Sequence, residues 1–214
     1  MRSNEQRLRN CKLYLILDTE VNDYPELLKI ARAAVGAGVD ILQLRDKGGA
    51  EKDILDFAKK ILKVTRRKIP FIIDDRADLV RLSGSDGVHL GRDDISIKEA
   101  RRILGRNAII GASCQSLAHI RKAEKDGADY IGFGSMFRTL TKPERLPQDL
   151  DRAAQAIKQA AVPVFAIGGI GLNNIAQLKD RGIERVGVCR AICAAADPRR
   201  SVKEFRKILN GITG

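Results

Sequence analysis

The sequence predicts an α/β fold in the form of a single (β/α)8 TIM barrel. Eight short apolar segments recur along the 214 residues, and amphipathic segments lie between them. Strands that alternate with helices usually pair in parallel. Eight such units in a chain of 214 residues match the smallest closed barrels. A doubly wound open sheet is the alternative, although it rarely needs eight equal units.

The predicted strands are short apolar runs bounded by Gly, Pro or Asp, a pattern typical of buried parallel strands. In chain order they are residues 13–17 (LYLIL), 40–44 (DILQL), 70–74 (PFIID), 87–90 (GVHL), 108–113 (AIIGAS), 129–134 (DYIGFG), 163–169 (PVFAIGG) and 185–189 (RVGVC).

Between these strands, apolar residues recur at helical spacing. The predicted helices are residues 25–38, 51–65, 96–105, 117–128, 149–161, 173–182 and 198–210, and a short crossover covers residues 77–85. No linker or change of composition indicates a second domain. We therefore expect a basic N-terminal extension over residues 1–12 and one barrel domain over residues 13–214.

The composition is that of an ordinary globular protein, with 44% hydrophobic and 31% charged residues. The net charge of +12 raises the hypothesis of nucleic-acid binding, but aromatic residues are only 4% and Trp is absent. We expect no nucleic-acid partner, and small phosphorylated molecules as substrates. No apolar run approaches the ~20 residues of a membrane helix, so we also expect no membrane partner. Assembly into a homo-oligomer is compatible with this interpretation.

The four cysteines lack the spacing of a zinc site or of a disulfide framework. They are typical of reduced thiols in a cytoplasmic protein. The N-terminal residues contain no apolar core of a signal peptide, which agrees with a cytoplasmic location.

Active sites of such barrels lie at the carboxyl ends of the strands. Gln43, Arg45 and Lys47 alternate at the end of the second strand, so they share one face of the extended chain. A strand that simply ends in a surface turn would show the same switch from apolar to charged residues. The residues at the other strand ends favour a second interpretation, in which these side chains line a pocket for an anion.

Acidic residues follow two neighbouring strands, namely Asp74 and Asp75 after the third and Asp93 and Asp94 after the fourth. Surface ion pairs would explain them without a function. However, Mg²⁺ is commonly held by one or two carboxylates together with substrate phosphates. The pattern therefore also suits Mg²⁺ at a phosphate site.

Two further segments suit phosphate. Thr139, Thr141 and Lys142 place hydroxyl and ammonium donors after the sixth strand. The glycine-rich segment 166–174 (AIGGIGLNN) precedes a helix predicted to start near Asn173, where a phosphate cup is usual. Glycines required only for a tight turn are the simpler explanation. Neither histidine, His89 nor His119, has a partner that suggests a nucleophile–base pair.

Taken together, these motifs resemble the thiamine-phosphate synthase (thiamine phosphate pyrophosphorylase) family. The resemblance covers nearly the whole chain and rests on QLRDK (43–47), IDDR (73–76), GVHLGRDD (87–94), GAS (111–113), FGSMFRTLTK (133–142) and AIGGI (166–170). It implies a (β/α)8 transferase that joins hydroxymethylpyrimidine diphosphate to thiazole phosphate and releases pyrophosphate. It further implies a pyrimidine carbocation captured by the thiazole nitrogen, which needs no protein nucleophile.

The resemblance also assigns residues. The pyrimidine diphosphate would be held by Gln43, Arg45, Lys47, Asp74, Ser113 and Lys142. The thiazole phosphate would be held by Thr139, Leu140, Thr141, Gly169, Cys189 and Arg190. Mg²⁺ would be the cofactor, bound by Asp75 and Asp94, and the catalytic group would comprise Arg45, Lys47, Ser113 and Lys142.

Several positions depart from the family pattern. Asp74 stands where the family has Asn, so Mg²⁺ or Arg76 would have to offset its charge beside a diphosphate. Arg138 and Arg190 replace a proline and a small hydroxyl residue. Two alternatives stay open: a thiazole tautomerase-like barrel, whose family uses a histidine where Ser135 stands, and a barrel that binds phosphate ligands without catalysis. An RNA-binding accessory protein is a third class, which predicts salt-sensitive RNA affinity.

Overall fold

A computed structural model describes residues 4–140 and 145–211 and has eight parallel strands that close into a barrel in sequence order. This confirms the predicted (β/α)8 fold. The strands are β1 (Leu13–Asp18), β2 (Ile41–Arg45), β3 (Phe71–Asp74), β4 (Gly87–Leu90), β5 (Ile109–Cys114), β6 (Tyr130–Gly134), β7 (Val164–Ile167) and β8 (Val186–Val188). Each of them lies within one residue of its predicted start.

The helices described cover the outside of the barrel and mostly follow the predicted order. They are α1 (Asn4–Leu8), α2 (Tyr24–Ala37), α3 (Glu51–Thr65), α4 (Ala77–Ser83), α5 (Ile97–Leu104), α6 (Leu117–Asp126), α7 (Leu150–Lys158), α8 (Ile175–Lys179), α9 (Arg190–Cys193) and α10 (Pro198–Asn210). Helices α1 and α9 were not predicted, because each is too short to show a period of 3.6 residues.

Local capping explains where several helices begin. The Asp23 side chain accepts a hydrogen bond from the Glu26 N–H at the start of α2. Ser96 and Glu99 form a reciprocal capping box at the start of α5. A cap of this kind stabilises a helix by about 1 kcal/mol, so these polar residues fix the boundaries that apolar periodicity leaves open.

The hydrophobic core has two parts, because successive strand residues face opposite sides of the barrel wall. The larger part packs the outer faces of the strands against the helices, and Leu27, Ile61 and Phe205 are among its buried side chains. Each such side chain contributes about 1.5–3 kcal/mol by leaving water. This outer layer holds the barrel closed.

The smaller part fills the lower interior of the barrel with large side chains. Its members are Leu8, Cys11, Tyr14, Ile41, Ile72, Ile109, Tyr130 and Phe165. Leu8 comes from α1 and is fully buried, so the N-terminal segment reaches into the inner cluster. Gly111 is required here, since a Cβ atom at this position would overlap the Tyr130 ring.

The four cysteines, all of which lie in the described part of the chain, are free thiols. Among residues 4–140 and 145–211, no helix combines the length and the apolar character that a membrane crossing requires.

Candidate active site

A cavity of about 340 Å³ opens above the inner cluster, at the carboxyl ends of the strands. Nine of the predicted substrate residues line it: Gln43, Arg45, Asp74, Ser113, Thr139, Leu140, Gly169, Cys189 and Arg190. Lys47 lies beside it and forms ion pairs with Asp74 and Asp75, and Asp94 adjoins Asp75. Thr141 and Lys142 lie outside the described residues.

Arg45 ends β2 and is almost fully buried, with 9% of its surface exposed. Its Nη1 atom lies 3.0 Å from both carboxylate oxygens of Asp18 and 3.0 Å from Glu20 Oε2. Burial alone would lower the pKa of Arg45, but these two carboxylates outweigh it and raise the pKa. Within the described residues, Arg45 Nε is buried and has no hydrogen-bond partner. One N–H donor of this guanidinium is therefore unused within the described residues.

Asp18 is not among the predicted site residues, although it ends β1 directly opposite Arg45 in the strand register. Asp18 is fully buried, and a buried carboxylate needs a cation. The signal was available, because Asp18 follows five apolar residues at the end of its strand and so reaches the same rim as the basic end of the next strand.

The acidic residues gather around Lys47. Its Nζ atom contacts the Asp75 carboxylate and lies 3.5 Å from Asp74 Oδ2. Arg76 does not offset the charge of Asp74 as expected, because it binds Glu51 and Asp78 on the surface instead. Lys47 therefore fills the role proposed for Arg76.

Asp75 and Asp94 are hydrogen-bonded to each other through their carboxyl groups. Burial is the largest influence on the pKa of Asp94 and raises it, and Asp75 raises it further. For Asp75, burial is outweighed by the hydrogen bonds from Asp94 and Lys47, and the pKa falls. Asp93, by contrast, is exposed. The two carboxyl groups thus oppose each other's ionisation, and a divalent cation between them would relieve that repulsion.

The backbone at Asp75 has a conformation that is rare for a residue with a side chain. Its φ angle is +60°, and Arg76 N–H donates to the Asp74 carbonyl oxygen at 2.7 Å. This i to i+2 bond across a positive φ is the pattern of a strained γ-turn. Strain of this kind clusters at functional sites, where the surrounding structure fixes it. Here it places the Asp75 carboxylate beside Asp94 and Lys47.

His89 and Ser113 correct a prediction. His89 Nε2 lies 3.0 Å from Ser113 Oγ, so the expectation that neither histidine has such a partner is wrong. His89 is buried on the inner face of β4, and Ser113 lies on the inner face of neighbouring β5. Gly132 makes room for the imidazole, since a Cβ atom there would lie 3.0 Å from His89 Cε1. The alternation of inner positions in adjacent strands could have revealed this pair.

The glycines after β7 have a steric purpose in addition to the predicted phosphate cup. Gly168 and Gly169 have φ angles of +94° and +65°. A Cβ atom on Gly169 would overlap the carbonyl oxygen of Arg138. Gly169 is therefore needed for the close approach of the loop after β6, as well as for its own turn. The following helix, α8, begins at Ile175 instead of near residue 173 and contains only five residues.

Cations surround this end of the cavity. Arg138, Arg145 and Arg190 line it, and none of them forms an ion pair with another described residue. Arg145 did not appear in the sequence analysis. Cys189 lines the same region, and its pKa is raised by a hydrogen bond with Cys193 and by burial, so its thiol stays protonated. This end can attract a phosphate but offers no thiolate nucleophile.

Comparison with known proteins gives a consistent result. The sequence model of a family described as thiamine monophosphate synthase matches residues 13–192. A thiamine-phosphate synthase of Halalkalibacterium halodurans is 37% identical over 204 residues, which are 94% of this chain and 97% of that protein. One from Prochlorococcus marinus is 39% identical over 199 residues, or 92% of this chain. This chain spans only 56–59% of the length of that relative and of several similar cyanobacterial ones.

Among solved structures, thiamine phosphate pyrophosphorylase from Pyrococcus furiosus superposes with a TM-score of 0.87 and 34% sequence identity. The match covers 97% of this chain and 100% of the Pyrococcus furiosus chain. Structures less than 25% identical, such as 3-hexulose-6-phosphate synthase at 20%, share the barrel alone.

Proposed function

This chain belongs to the thiamine monophosphate synthase family, and on that premise we propose that it joins hydroxymethylpyrimidine diphosphate to thiazole phosphate. The products are thiamine phosphate and pyrophosphate. The observation that carries the proposal is the division of one cavity into two ends. Arg45 and its neighbours from β1 to β4 form one end, and the glycines and arginines after β6 to β8 form the other.

The first end suits the diphosphate. Arg45 is held in place by Asp18 and keeps an unused Nε donor. Lys47, held by Asp74 and Asp75, brings an ammonium group to the rim of the same site. Negative charge develops on the diphosphate as its bond to the pyrimidine methylene carbon breaks. Fixed cations at that position favour the departure of pyrophosphate. Lys142 is assigned to the same task by the family resemblance.

The same end suits Mg²⁺. The carboxyl groups of Asp75 and Asp94 interact with each other and come from neighbouring strand ends. Among the described residues there is no group of three or more His, Cys, Asp or Glu that could hold a metal by itself. A pair of carboxylates completed by substrate phosphates is the usual Mg²⁺ arrangement. When bound, Mg²⁺ supplies charge neutralisation for the diphosphate.

The second end suits the phosphate of the thiazole. Thr139 and the backbone at Gly169 and Arg190 line it, and Arg138, Arg145 and Arg190 supply positive charge. A phosphate monoester bound there leaves the thiazole ring between the two ends. The ring nitrogen can then form its bond to the pyrimidine methylene carbon as the diphosphate leaves, and positioning contributes much of the rate.

This chain lacks the histidine that defines the thiazole tautomerase-like alternative. Ser135 occupies the position at which that sibling family carries a histidine, and it is buried at the wall of the cavity. A hydroxyl has a far higher pKa than an imidazole, so it is poorly suited to moving a proton near neutral pH. The interpretation as a synthase therefore accounts for more of the site.

The test is an assay of the purified chain with both substrates and Mg²⁺, with thiamine phosphate measured after its oxidation to a fluorescent product. We expect product only when both substrates are present. Lys47→Gln should lower turnover, and Lys52→Gln, an exposed change on α3, serves as the control. Binding of both substrates without product would instead support the non-catalytic barrel.

A further inference from the structure

Five hydrogen bonds join Asp74 to Ser113 across the interior of the barrel. Asp74 Oδ1 accepts from Gln43 Nε2 at 2.6 Å, and Gln43 Oε1 accepts from the Tyr14 hydroxyl at 2.7 Å. The Tyr14 and Tyr130 oxygens are 2.8 Å apart, and Tyr130 lies 3.0 Å from His89 Nδ1. His89 Nε2 then lies 3.0 Å from Ser113 Oγ. The path is buried along most of its length.

The carboxylate at one end sets the direction of every bond. A carboxylate only accepts hydrogen bonds, so the Gln43 amide nitrogen must face Asp74 and its oxygen must face Tyr14. On the other side of Asp74, Lys47 Nζ lies 3.5 Å from Oδ2 and can only donate. Asp74 therefore receives donors on both sides, which excludes the flipped orientation of the Gln43 amide.

Each hydroxyl carries a single proton, which fixes the next step. The Tyr14 hydroxyl donates to Gln43 Oε1, so the Tyr14 oxygen must accept a hydrogen bond from the Tyr130 hydroxyl. Because the Tyr130 hydroxyl donates to Tyr14, the Tyr130 oxygen must accept a hydrogen bond from His89 Nδ1. Burial raises the pKa of both tyrosines well above the ordinary value, so both hydroxyls keep the protons that this assignment needs.

From these contacts we propose that Asp74 acts as a positioning residue that holds His89 in the Nδ1–H tautomer. His89 Nε2 is then an acceptor, and it takes the hydrogen bond of the Ser113 hydroxyl. The oxygen lone pairs of Ser113 are left facing the cavity. Ser113 thus offers an acceptor to the pyrimidine substrate that the family resemblance assigns to it.

This direction has a consequence for the substrate, which rests on the proposed function. A group that meets Ser113 must donate a hydrogen bond, and an exocyclic amino group on the pyrimidine can do so, whereas a diphosphate oxygen cannot. Ser113 would then recognise the heteroaromatic ring of the donor substrate, and Arg45 and Lys47 would hold its diphosphate.

The tautomer can be measured without substrate or turnover, by the ¹⁵N chemical shifts of histidine in the full chain. Replacement of His119 with Gln leaves His89 as the sole histidine and assigns its signals. We expect a protonated, pyrrole-type shift at Nδ1 and an unprotonated, pyridine-type shift at Nε2. The opposite pattern, or two protonated nitrogens, would overturn the proposal.

The Asp74→Asn variant tests whether Asp74 sets the tautomer. In this variant the Asn oxygen should face Lys47, so its amide nitrogen must donate to Gln43. The Gln43 amide should then flip and reverse every bond, which moves the proton of His89 to Nε2. The exposed Asp78→Asn variant should keep the original pattern. An unchanged Nδ1–H pattern in Asp74→Asn would mean that Asp74 does not set it.

The role of Ser113 is tested by binding of the pyrimidine diphosphate and of an analogue without the amino group, in the absence of thiazole phosphate. We expect the protein to prefer the amino compound by about 10-fold, and Ser113→Ala to abolish that preference. Equal weakening of both ligands by Ser113→Ala would show that Ser113 serves the diphosphate instead. If neither ligand binds the unmodified protein, the proposed function fails while the measured tautomer still stands.

Discussion

Arg45 Nη1 lies 3.0 Å from each carboxylate oxygen of Asp18, at the adjoining ends of β2 and β1. Both residues are buried, whereas the second partner of Arg45, Glu20, has a side chain that is 53% exposed. A buried charge that loses its partner is strongly destabilising, while an exposed ion pair contributes little. One arginine therefore has two carboxylate partners of very different energetic weight.

The first prediction compares these two partners. Asp18→Asn should lower the free energy of unfolding by about 3 kcal/mol, because it leaves the buried guanidinium with less compensation. Glu20→Gln, the matched change at the exposed partner, should cost less than about 1 kcal/mol. Urea unfolding of the two variants and the unmodified protein measures both values. Equal costs would mean that Asp18 does not hold Arg45 in the folded protein.

The second prediction concerns Mg²⁺. Asp75→Asn and Asp94→Asn should each lower turnover by roughly 100-fold, since each removes a charged ligand and with it a few kcal/mol of electrostatic stabilisation. Both variants should also bind Mn²⁺, a spectroscopic substitute, more weakly. Asp93→Asn changes an exposed neighbour and serves as the control. Full activity in the presence of EDTA would contradict the assignment.

The third prediction separates steric overlap from backbone strain. Gly169→Ala places a methyl group against the Arg138 carbonyl oxygen, and Gly127→Ala at φ +96° meets no atom within 4 Å. The strain alone should cost about 1–2 kcal/mol in either variant. We expect Gly169→Ala to be the less stable protein and to weaken binding of thiazole phosphate, because it displaces the loop after β6. Calorimetric titration with thiazole phosphate and urea unfolding measure the two effects, and identical behaviour of the variants would argue against this role of the loop.

The fourth prediction uses Asp46, which anchors the loop that carries Lys47. Its carboxylate accepts hydrogen bonds from the Gly48 and Gly49 N–H groups, at 3.1 and 2.6 Å, and from the Tyr24 hydroxyl. Burial acts to raise the pKa of Asp46, but these hydrogen bonds outweigh it and the pKa lies below the ordinary value of 3.8. The folded protein therefore binds this proton less readily than the unfolded chain does.

The resulting stabilisation should be fully present above pH 3.8 and be lost as the pH falls through the lower folded-state value. Asp46→Asn should cost about 1–3 kcal/mol near pH 7, and the difference from the unmodified protein should shrink in acid. Unfolding measured from about pH 2 to pH 7 follows this difference. Asp56→Asn, an exposed change on α3, provides the baseline. A difference that stays constant with pH would exclude a charge effect at Asp46.

The sequence is enough to predict the barrel because eight buried strands and their helices repeat a strong pattern. It also brings Gln43, Arg45 and Asp74 to one cavity, since strand ends of a parallel barrel converge. Links between strands are harder to predict. The Asp18–Arg45 and His89–Ser113 contacts depend on the face that each residue takes and on the register between strands. Alternation within a strand indicates the face, but the register across a crossover is not visible in the local pattern.

The reason for a glycine is equally hard to infer from the sequence. Gly169 was explained by a phosphate cup, and the overlap with the Arg138 carbonyl depends on how the loop after β6 folds back. Such a contact joins residues about thirty positions apart and leaves no periodic signal.

The most direct test of the central proposal is a simultaneous measurement of pyrophosphate and thiamine phosphate during one reaction. With both substrates and Mg²⁺ present, we expect the two products to appear at equal rates and in equal amounts. Omission of either substrate should abolish thiamine phosphate formation. Tight binding of both substrates with no release of pyrophosphate, or pyrophosphate without thiamine phosphate, would contradict the account of this chain as a synthase.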